Sequence, residues 1–385
     1  MKTKAYYIIL IFVICILWQS TWAQKPFPVV DASQVLDLSF GKQGIFVAPF
    51  PNNHQEDWWE MAAYSSEVSG AVTRYGYGLS LRVLPTGTSL DPQFGSAGIL
   101  ESDYLQPNTI HLSGTKTINL VALPQESFLG LLNNGSPDTS LGPNGLRQVP
   151  VEANPESHIV ASPAGPFYLY TYADPGAGIV RFLSGGNIDG TFANQGVFSQ
   201  GQDGGISDLL ATADGGVLYL SNYIKKVDAT GHLDLNFHPL FSNSAGNYFR
   251  HFGPLSSKGG FYAVSVLAIH RYNSDGTPDS SFVKKGIATP GPEENYDVQE
   301  LDDGTIAVVT MMSYGDLVVD EYDHSGKQTL ETFLKLPGKN GPWSASYDTI
   351  SKPKAFKRDG KLMIGFNYHS TLNLSETGWG VFAFK

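Results

Sequence analysis

Beyond its first 24 residues the chain has no cysteine, since its one cysteine is Cys15. Without thiols there can be no disulfide framework, no thiolate metal site and no cysteine nucleophile, so the remainder must be held by its own core. A bilayer-spanning run is also missing: the apolar stretch from Ala5 to Trp18 is too short for a comfortable crossing. Excess positive charge is absent, with 25 Lys and Arg against 36 Asp and Glu and a formal net charge of −11. That balance excludes a nucleic-acid backbone as partner, which needs clustered cations. No Gly-x-Ser-x-Gly elbow, His-Glu-x-x-His pair or phosphate-binding loop occurs, and no segment past residue 24 sustains a helical period.

What is present begins with MKTKAYYIILIFVICILWQSTWAQ. Lys2 and Lys4, the apolar stretch and the polar shoulder ending Thr21-Trp22-Ala23 have the order of a secretory signal peptide over residues 1–23. A retained anchor is the weaker alternative. So is lipid attachment at Cys15, because bulky Ile14 precedes it where such sites need a small residue. The expected location is therefore secreted or cell-envelope, with no stable membrane span after cleavage. Residues 24–385 carry no linker-like composition and read as one domain. At 42% hydrophobic and 12% aromatic residues, a chain this long can bury a core of its own.

Self-similarity organises that domain. VLDLSFGKQGIF (35–46), SLDPQFGSAGIL (89–100), SPDTSLGPNGLR (136–147), NIDGTFANQGVF (187–198), HLDLNFHPLFSN (232–243) and TPDSSFVKKGIA (277–288) are copies of one turn. TLETFLKLPG (329–338) is an eroded seventh. Their anchors are Phe40, Phe94, Leu141, Phe192, Phe237, Phe282 and Phe333, spaced by 54, 47, 51, 45, 45 and 51 residues. Between anchors, ISDLLATADGGVLYLSN (206–222), SSKGGFYAVSV (256–266), YDVQELDDGTIAVVTMM (296–312) and AFKRDGKLMIGFNYH (355–369) alternate apolar and polar residues around a Gly turn. Each is a hairpin of two short strands. A third strand precedes each repeat turn and a fourth follows it at the Gly-Ile pair.

Four strands in roughly 45–50 residues is the size of a β-propeller blade. The fold expected is all-β, a propeller of seven four-stranded blades, with six or eight as alternatives. The chain ends after GWGVFAFK (378–385) where another turn would begin, so the N-terminal segment is expected to complete the last blade by pairing with the C-terminal one. The pattern RYNSDGTPDSSF…GI, following a hairpin and an apolar strand, resembles the delta-60 repeat of exported bacterial β-propeller proteins. The resemblance spans nearly the whole of residues 24–385 and is sharpest at 214–240 and 261–288. It implies the fold and no shared activity.

Several residues could carry chemistry. The repeated Asp37, Asp91, Asp138, Asp189, Asp234 and Asp279 are one per unit, each ahead of an apolar anchor, and read as turn caps rather than calcium ligands. Counting seven back from a hairpin glycine gives His158, Asp208 and Asp297; a looser alignment adds His111, His251 and Asp348, and Asp57 or Glu60. In a propeller these positions would ring the central channel. They could bind a divalent cation or act as acid and base, with His158, Asp208 and His251 the weak metal candidates, or simply form a solvated rim. Trp58, Trp59 and Trp343 fall in the first and last units and could grip a glycan or peptide, or pack the closing seam.

Three functions remain open on the sequence. One is a binding module for an extracellular glycan, peptide or surface protein, without a cofactor. Another is a metal-assisted hydrolase or lyase using the His/Asp ring. The third is a structural surface scaffold.

Overall fold

The computed structural model describes residues 28–49, 68–74, 77–84, 86–102, 105–112, 116–121, 127–132, 134–149, 159–163, 165–171, 178–200, 205–238, 240–241, 243–244, 247–288, 296–311, 317–334, 348–358, 360–370 and 377–385. Among them the chain is all-β apart from single helical turns such as Ala32–Val35. The strands form seven small sheets, each antiparallel but for one added strand. Sheet A combines Ile45–Pro49 with Thr377–Ala383, Lys361–Ser370 and Asp348–Arg358. Sheet B holds Val68–Arg74, Tyr77–Val83 and Ile99–Ser102 among the described residues. Sheet C runs Leu105–Leu112, Lys116–Val121, Ser127–Leu132, Leu146–Gln148, and sheet D runs Ile159–Ala161, Phe167–Thr171, Gly178–Phe182, Val197–Ser199.

Sheet E contains Asp208–Ala211, Val217–Leu220, Tyr223–Val227 and Leu240–Phe241. Sheet F contains Asn247–Leu255, Phe261–Ser265, Ala268–Tyr272 and Ile287–Ala288, with Asn243–Ser244 added beside its first strand. Sheet G contains Tyr296–Glu300, Ile306–Met311, Leu317–Tyr322 and Gln328–Leu334, with Val29–Asp31 added in parallel along its last strand. The repeat turn lies between the third and fourth strands of a sheet, and the sequence hairpins are the first two.

The two ends of the chain share sheet A: Ile45 pairs with Phe382 and Pro49 with Gly378. The N-terminal segment first runs along the edge of sheet G, registering Val29 with Glu331 and Asp31 with Phe333. It then turns through a capped helical turn, where Asp31 accepts the Ser33 N–H and Gln34 accepts the Asp31 N–H. A single N-terminal stretch thus touches two sheets.

At six of the seven junctions between neighbouring sheets, apolar side chains alternating toward both faces form a shared core among the described residues. Phe46, Val381 and Met363 of sheet A cluster with Val83 and Ile99 of sheet B. Phe128 and Leu141 of sheet C cluster with Phe167, Leu169 and Phe182 of sheet D. Tyr168 and Phe192 meet Leu209 and Tyr219, Leu218 and Phe237 meet Phe261 and Ala263, and Tyr262 and Phe282 meet Val298 and Ile306. Ala307, Val309 and Leu317 of sheet G pack on Ile364, Phe366 and Phe382 of sheet A. Between sheets B and C, Gly95 donates its N–H to the Asn134 carbonyl at 3.0 Å.

The anchors explain the repeat. Phe94, Phe192, Phe237 and Phe282 are all at most 5% exposed, whereas Phe333 is 38% exposed. Phe333 is therefore not an anchor: with no Asp ahead of it to cap a turn, Gln328–Leu334 runs on as one strand, burying Leu334 instead. The residue after an anchor ties to the next sheet's turn, as in Ala193 N–H to Thr230 O (2.8 Å), His238 N–H to Asp275 O (2.7 Å) and Val283 N–H to Ser325 O (2.9 Å). Glycine is required at that turn. Gly276 has φ +83°, and a Cβ there would lie 2.4 Å from the His238 carbonyl oxygen and 2.9 Å from the Phe237 ring.

Candidate functional site

The repeated aspartates are turn caps. Asp279 Oδ1 accepts the Ser281 N–H (2.8 Å) and hydroxyl (2.7 Å), and Asp189 Oδ1 does the same for Thr191. The second oxygen takes a cation from the third strand. Arg271 Nε donates to Asp279 Oδ2 at 2.7 Å and Arg181 Nε to Asp189 Oδ2 at 2.9 Å, both arginines being buried. The same guanidinium lies over the anchor ring, 4.8 Å above Phe282 and 4.6 Å above Phe192; Arg82 lies 4.5 Å over Phe94. Burial works to raise the Asp279 and Asp189 pKa values, but the Ser281 and Thr191 bonds and the arginines outweigh it and hold both below normal. This Arg–Asp–Phe unit was missed on the sequence. Its signal was a basic residue eight or nine positions before the Asp: Arg82, Arg181, Lys226 and Arg271.

At the start of the first strands, pairing fixes which residues are equivalent. Asp208 pairs with Leu220, His251 with Val264, Asp297 with Val309 and Lys354 with Gly365, each of those partners lying five residues past its hairpin glycine, Gly215, Gly259, Gly304 or Gly360. The register thus joins Asp208, His251 and Asp297 as expected and adds Lys354. It removes His111, which pairs with Thr117 near the hairpin end, and Asp348, which pairs with Ser370 at the far end of its strand. Bulges at 105–109 and 351–354 and a shorter turn between Arg358 and Lys361 shift the register of those strands, which a loose alignment of the units does not follow. His158, Trp58, Trp59 and Trp343, with Asp57 and Glu60, lie outside the described residues.

The two aspartates of this register act as clasps. Asp208 Oδ1 accepts its neighbour's N–H from Leu209 (2.8 Å), and Oδ2 accepts the Phe252 N–H of sheet F (2.6 Å). Asp297 repeats this with Val298 (2.9 Å) and with Ala355 of sheet A (2.9 Å), and Lys354 Nζ stands 3.4 Å from it. In each case the donor follows the register residue of the next sheet, beside the bulge that leaves an N–H outside the ladder. Carboxylates occupied in this way satisfy the backbone first. The His251 ring lies 6.3 Å from that of Tyr296, between centroids. Among the described residues no three His, Cys, Asp or Glu side chains come together as a metal site.

Concave surface occurs instead between adjacent hairpin turns. The groove between sheets E and F has a volume of about 280 Å³ and is lined by Asp214, Leu218, Lys226, Leu255, Ser256 and Phe261, among others. Lys226 Nζ forms its floor, 2.5 Å from Asp214 Oδ2 and 3.6 Å from Asp234 Oδ2. The groove between sheets G and A, of about 470 Å³, includes Asp303, Glu321, Lys361, Leu362 and Lys385.

Neither a protein-family model nor a curated protein matches the chain. It is similar to solved structures at low identity. One is from a study of two prolyl endopeptidases (12% identity, TM-score 0.45, covering 86% of this chain and 46% of that one). Another is BBS1N in complex with ARL6DN (11%, TM-score 0.48, 88% and 97%). A mutant of puromycin hydrolase complexed with PGG is a third (15%, TM-score 0.43, 84% and 57%). The chain spans about half the length of the first of these.

Proposed function

We propose that the seven sheets are the blades of a closed, delta-60-type β-propeller, and that the protein is an exported binding module rather than an enzyme. Its partner would be an extracellular glycan, peptide or surface protein. Support for the ring comes from the shared apolar cores at six of the seven sheet junctions, sheet G on sheet A among them, and from the pairing of N- and C-terminal segments in sheet A. The observation that carries the non-catalytic reading is the use of Asp208 and Asp297. Both oxygens of each are committed to backbone N–H groups, two of them in the neighbouring sheet. A general base or metal ligand needs an oxygen that can turn to substrate. No cofactor is required on this reading.

The test is a glycan and peptide array probed with labelled protein, alongside metal analysis after dialysis. Saturable binding to a defined set of glycans or peptides, without stoichiometric metal, is the expected result. A bound divalent ion at one per chain, lost in Asp208→Ala, would overturn the reading in favour of a metal-assisted enzyme.

A further inference from the structure

A tyrosine and an arginine fill the junction between sheets D and E, and another such pair fills the junction between F and G. Each tyrosine stands three residues past its hairpin glycine and is the ladder partner of the arginine, Tyr168 of Arg181 and Tyr262 of Arg271. Both rings are wholly buried against the next sheet. At the first junction the Tyr168 hydroxyl donates to the Gly215 carbonyl, in the hairpin turn of sheet E. The Arg181 guanidinium donates to the Ala229 carbonyl, in the repeat turn of the same sheet. One phenol and one guanidinium thus claim the two turn carbonyls that face them.

At the junction between sheets E and F the same two positions hold Leu218 and Lys226, again ladder partners. Leu218 is smaller than tyrosine and has no hydroxyl. The Lys226 ammonium turns to carboxylates of its own sheet, 2.5 Å from Asp214 and 3.6 Å from Asp234. The carbonyls equivalent to those of Gly215 and Ala229 belong to Gly259 and to Ser274, which follows Asn273 in its turn as Ala229 follows Asp228. Neither Leu218 nor Lys226 serves them. The space stays open: the groove of about 280 Å³ at this junction is lined by Leu218, Lys226, Gly259 and Ser274, with Leu255 and Phe261 as apolar walls. It therefore lies where the Tyr168 phenol and the Arg181 guanidinium lie one junction earlier.

We propose that the groove between sheets E and F binds a phenol, its hydroxyl donating to the Gly259 carbonyl and its ring lying against Leu218, Leu255 and Phe261. A phenol joins a flat apolar body to a single donor, which matches apolar walls around one unserved acceptor. Of the two groups missing from this junction, the guanidinium is in part replaced, because Lys226 keeps a positive charge at the groove floor. The phenol is not replaced at all. A small free phenol and the tyrosine side chain of a partner protein both supply that chemistry. The site needs only the packing of sheet E on sheet F and does not depend on ring closure, export or anything bound at the first-strand register.

The probe is p-cresol, titrated into the purified protein and followed by amide chemical shifts, with 4-methylanisole, its methyl ether, as an analogue that cannot donate. N-acetyl-tyrosinamide is run in parallel. Saturable shifts centred on Leu218, Gly259, Gly260 and Ser274 are expected with p-cresol, and about fivefold weaker binding of the ether, the factor one neutral hydrogen bond is worth. Leu218→Tyr should abolish binding and raise the melting temperature, by supplying the phenol from within as Tyr168 does. Leu218→Phe, which fills the same space without a hydroxyl, should also block p-cresol and stands in if the tyrosine variant does not fold. Binding of N-acetyl-tyrosinamide as strong as that of p-cresol assigns the groove to a partner's tyrosine, and binding of p-cresol alone assigns it to small phenols. No saturable shift at those amides below about 50 mM, equal affinity for the ether, or undiminished binding in the folded Leu218 variants overturns the inference.

Discussion

Phe282→Ala is the substitution that best separates wedge from strand, when set against Phe333→Ala. Phe282 is 5% exposed and packs with Tyr262, Ile269, Val298 and Ile306 across sheets F and G. Arg271 lies 4.8 Å above its ring, and the Gly326 turn of sheet G closes over it, a Cβ there falling 2.9 Å from the ring. Truncating a buried Phe costs about 3–5 kcal/mol, and loss of the cation–π contact adds up to about 2 kcal/mol. Phe333 is 38% exposed and belongs to a strand already paired on both sides, by Leu317–Tyr322 and Val29–Asp31. Its truncation should cost no more than about 1 kcal/mol. Urea unfolding of both variants, with slopes compared to exclude loss of cooperativity, gives the two values. Equal losses would refute the reasoning, because the repeat anchor would then be set by sequence spacing and not by the formed turn.

Asp208→Ala and Asp297→Ala should each cost about 1–3 kcal/mol, by leaving a backbone N–H at a sheet junction without its acceptor. Amide exchange should quicken at Phe252 in the first variant and at Ala355 in the second; unchanged exchange at both sites would argue against the clasp. Acid stability supplies a further check. Its bonds to Lys361, then to the Ser39 hydroxyl and N–H, hold the Asp37 pKa at about 2, against an ordinary 3.8. A lowered carboxyl stabilises above its unfolded pKa, so this contribution is present above pH 3.8 and fades as pH falls toward 2. Lys361→Gln should therefore narrow the difference in melting temperature between pH 5 and pH 2 relative to wild type, and an unchanged difference would remove Asp37–Lys361 from the account.

Much of the architecture was legible because its signals are local. Hairpins such as Asp208–Leu220 and Tyr296–Met311 combine period-two alternation with a glycine turn, and both form as read. The end-to-end pairing could be read from counting, since the C-terminal unit ran out of chain before its fourth strand. Val29–Asp31 could not: three residues carry no usable period, and what holds them is an edge offered by a strand three hundred residues away. His111 and Asp348 came from a looser alignment of the units, which cannot see where a bulge or a shorter turn slips the register. The Arg–Asp–Phe unit was legible in principle, in the basic residue ahead of each turn, but its meaning needs the third strand folded back over the fourth. Leu218 stands out only against Tyr168 and Tyr262. The site residues resist sequence reading for that reason: the repeats advertise what they share, and the candidate chemistry lies where one unit departs from the rest.

The central claim is that one sheet is built from both ends of the chain, and an engineered disulfide measures it directly. Residues 24–385 contain no native cysteine to compete. Ala48 and Trp379 are register partners across the Ile45–Pro49 and Thr377–Ala383 strands, so Ala48→Cys with Trp379→Cys brings two thiols within bridging reach. Under mild oxidation of the folded protein, the account predicts near-complete intramolecular cross-linking, seen as a faster-migrating monomer that reverts on reduction. Two free thiols in the folded monomer, or bridges formed only between chains, would contradict it.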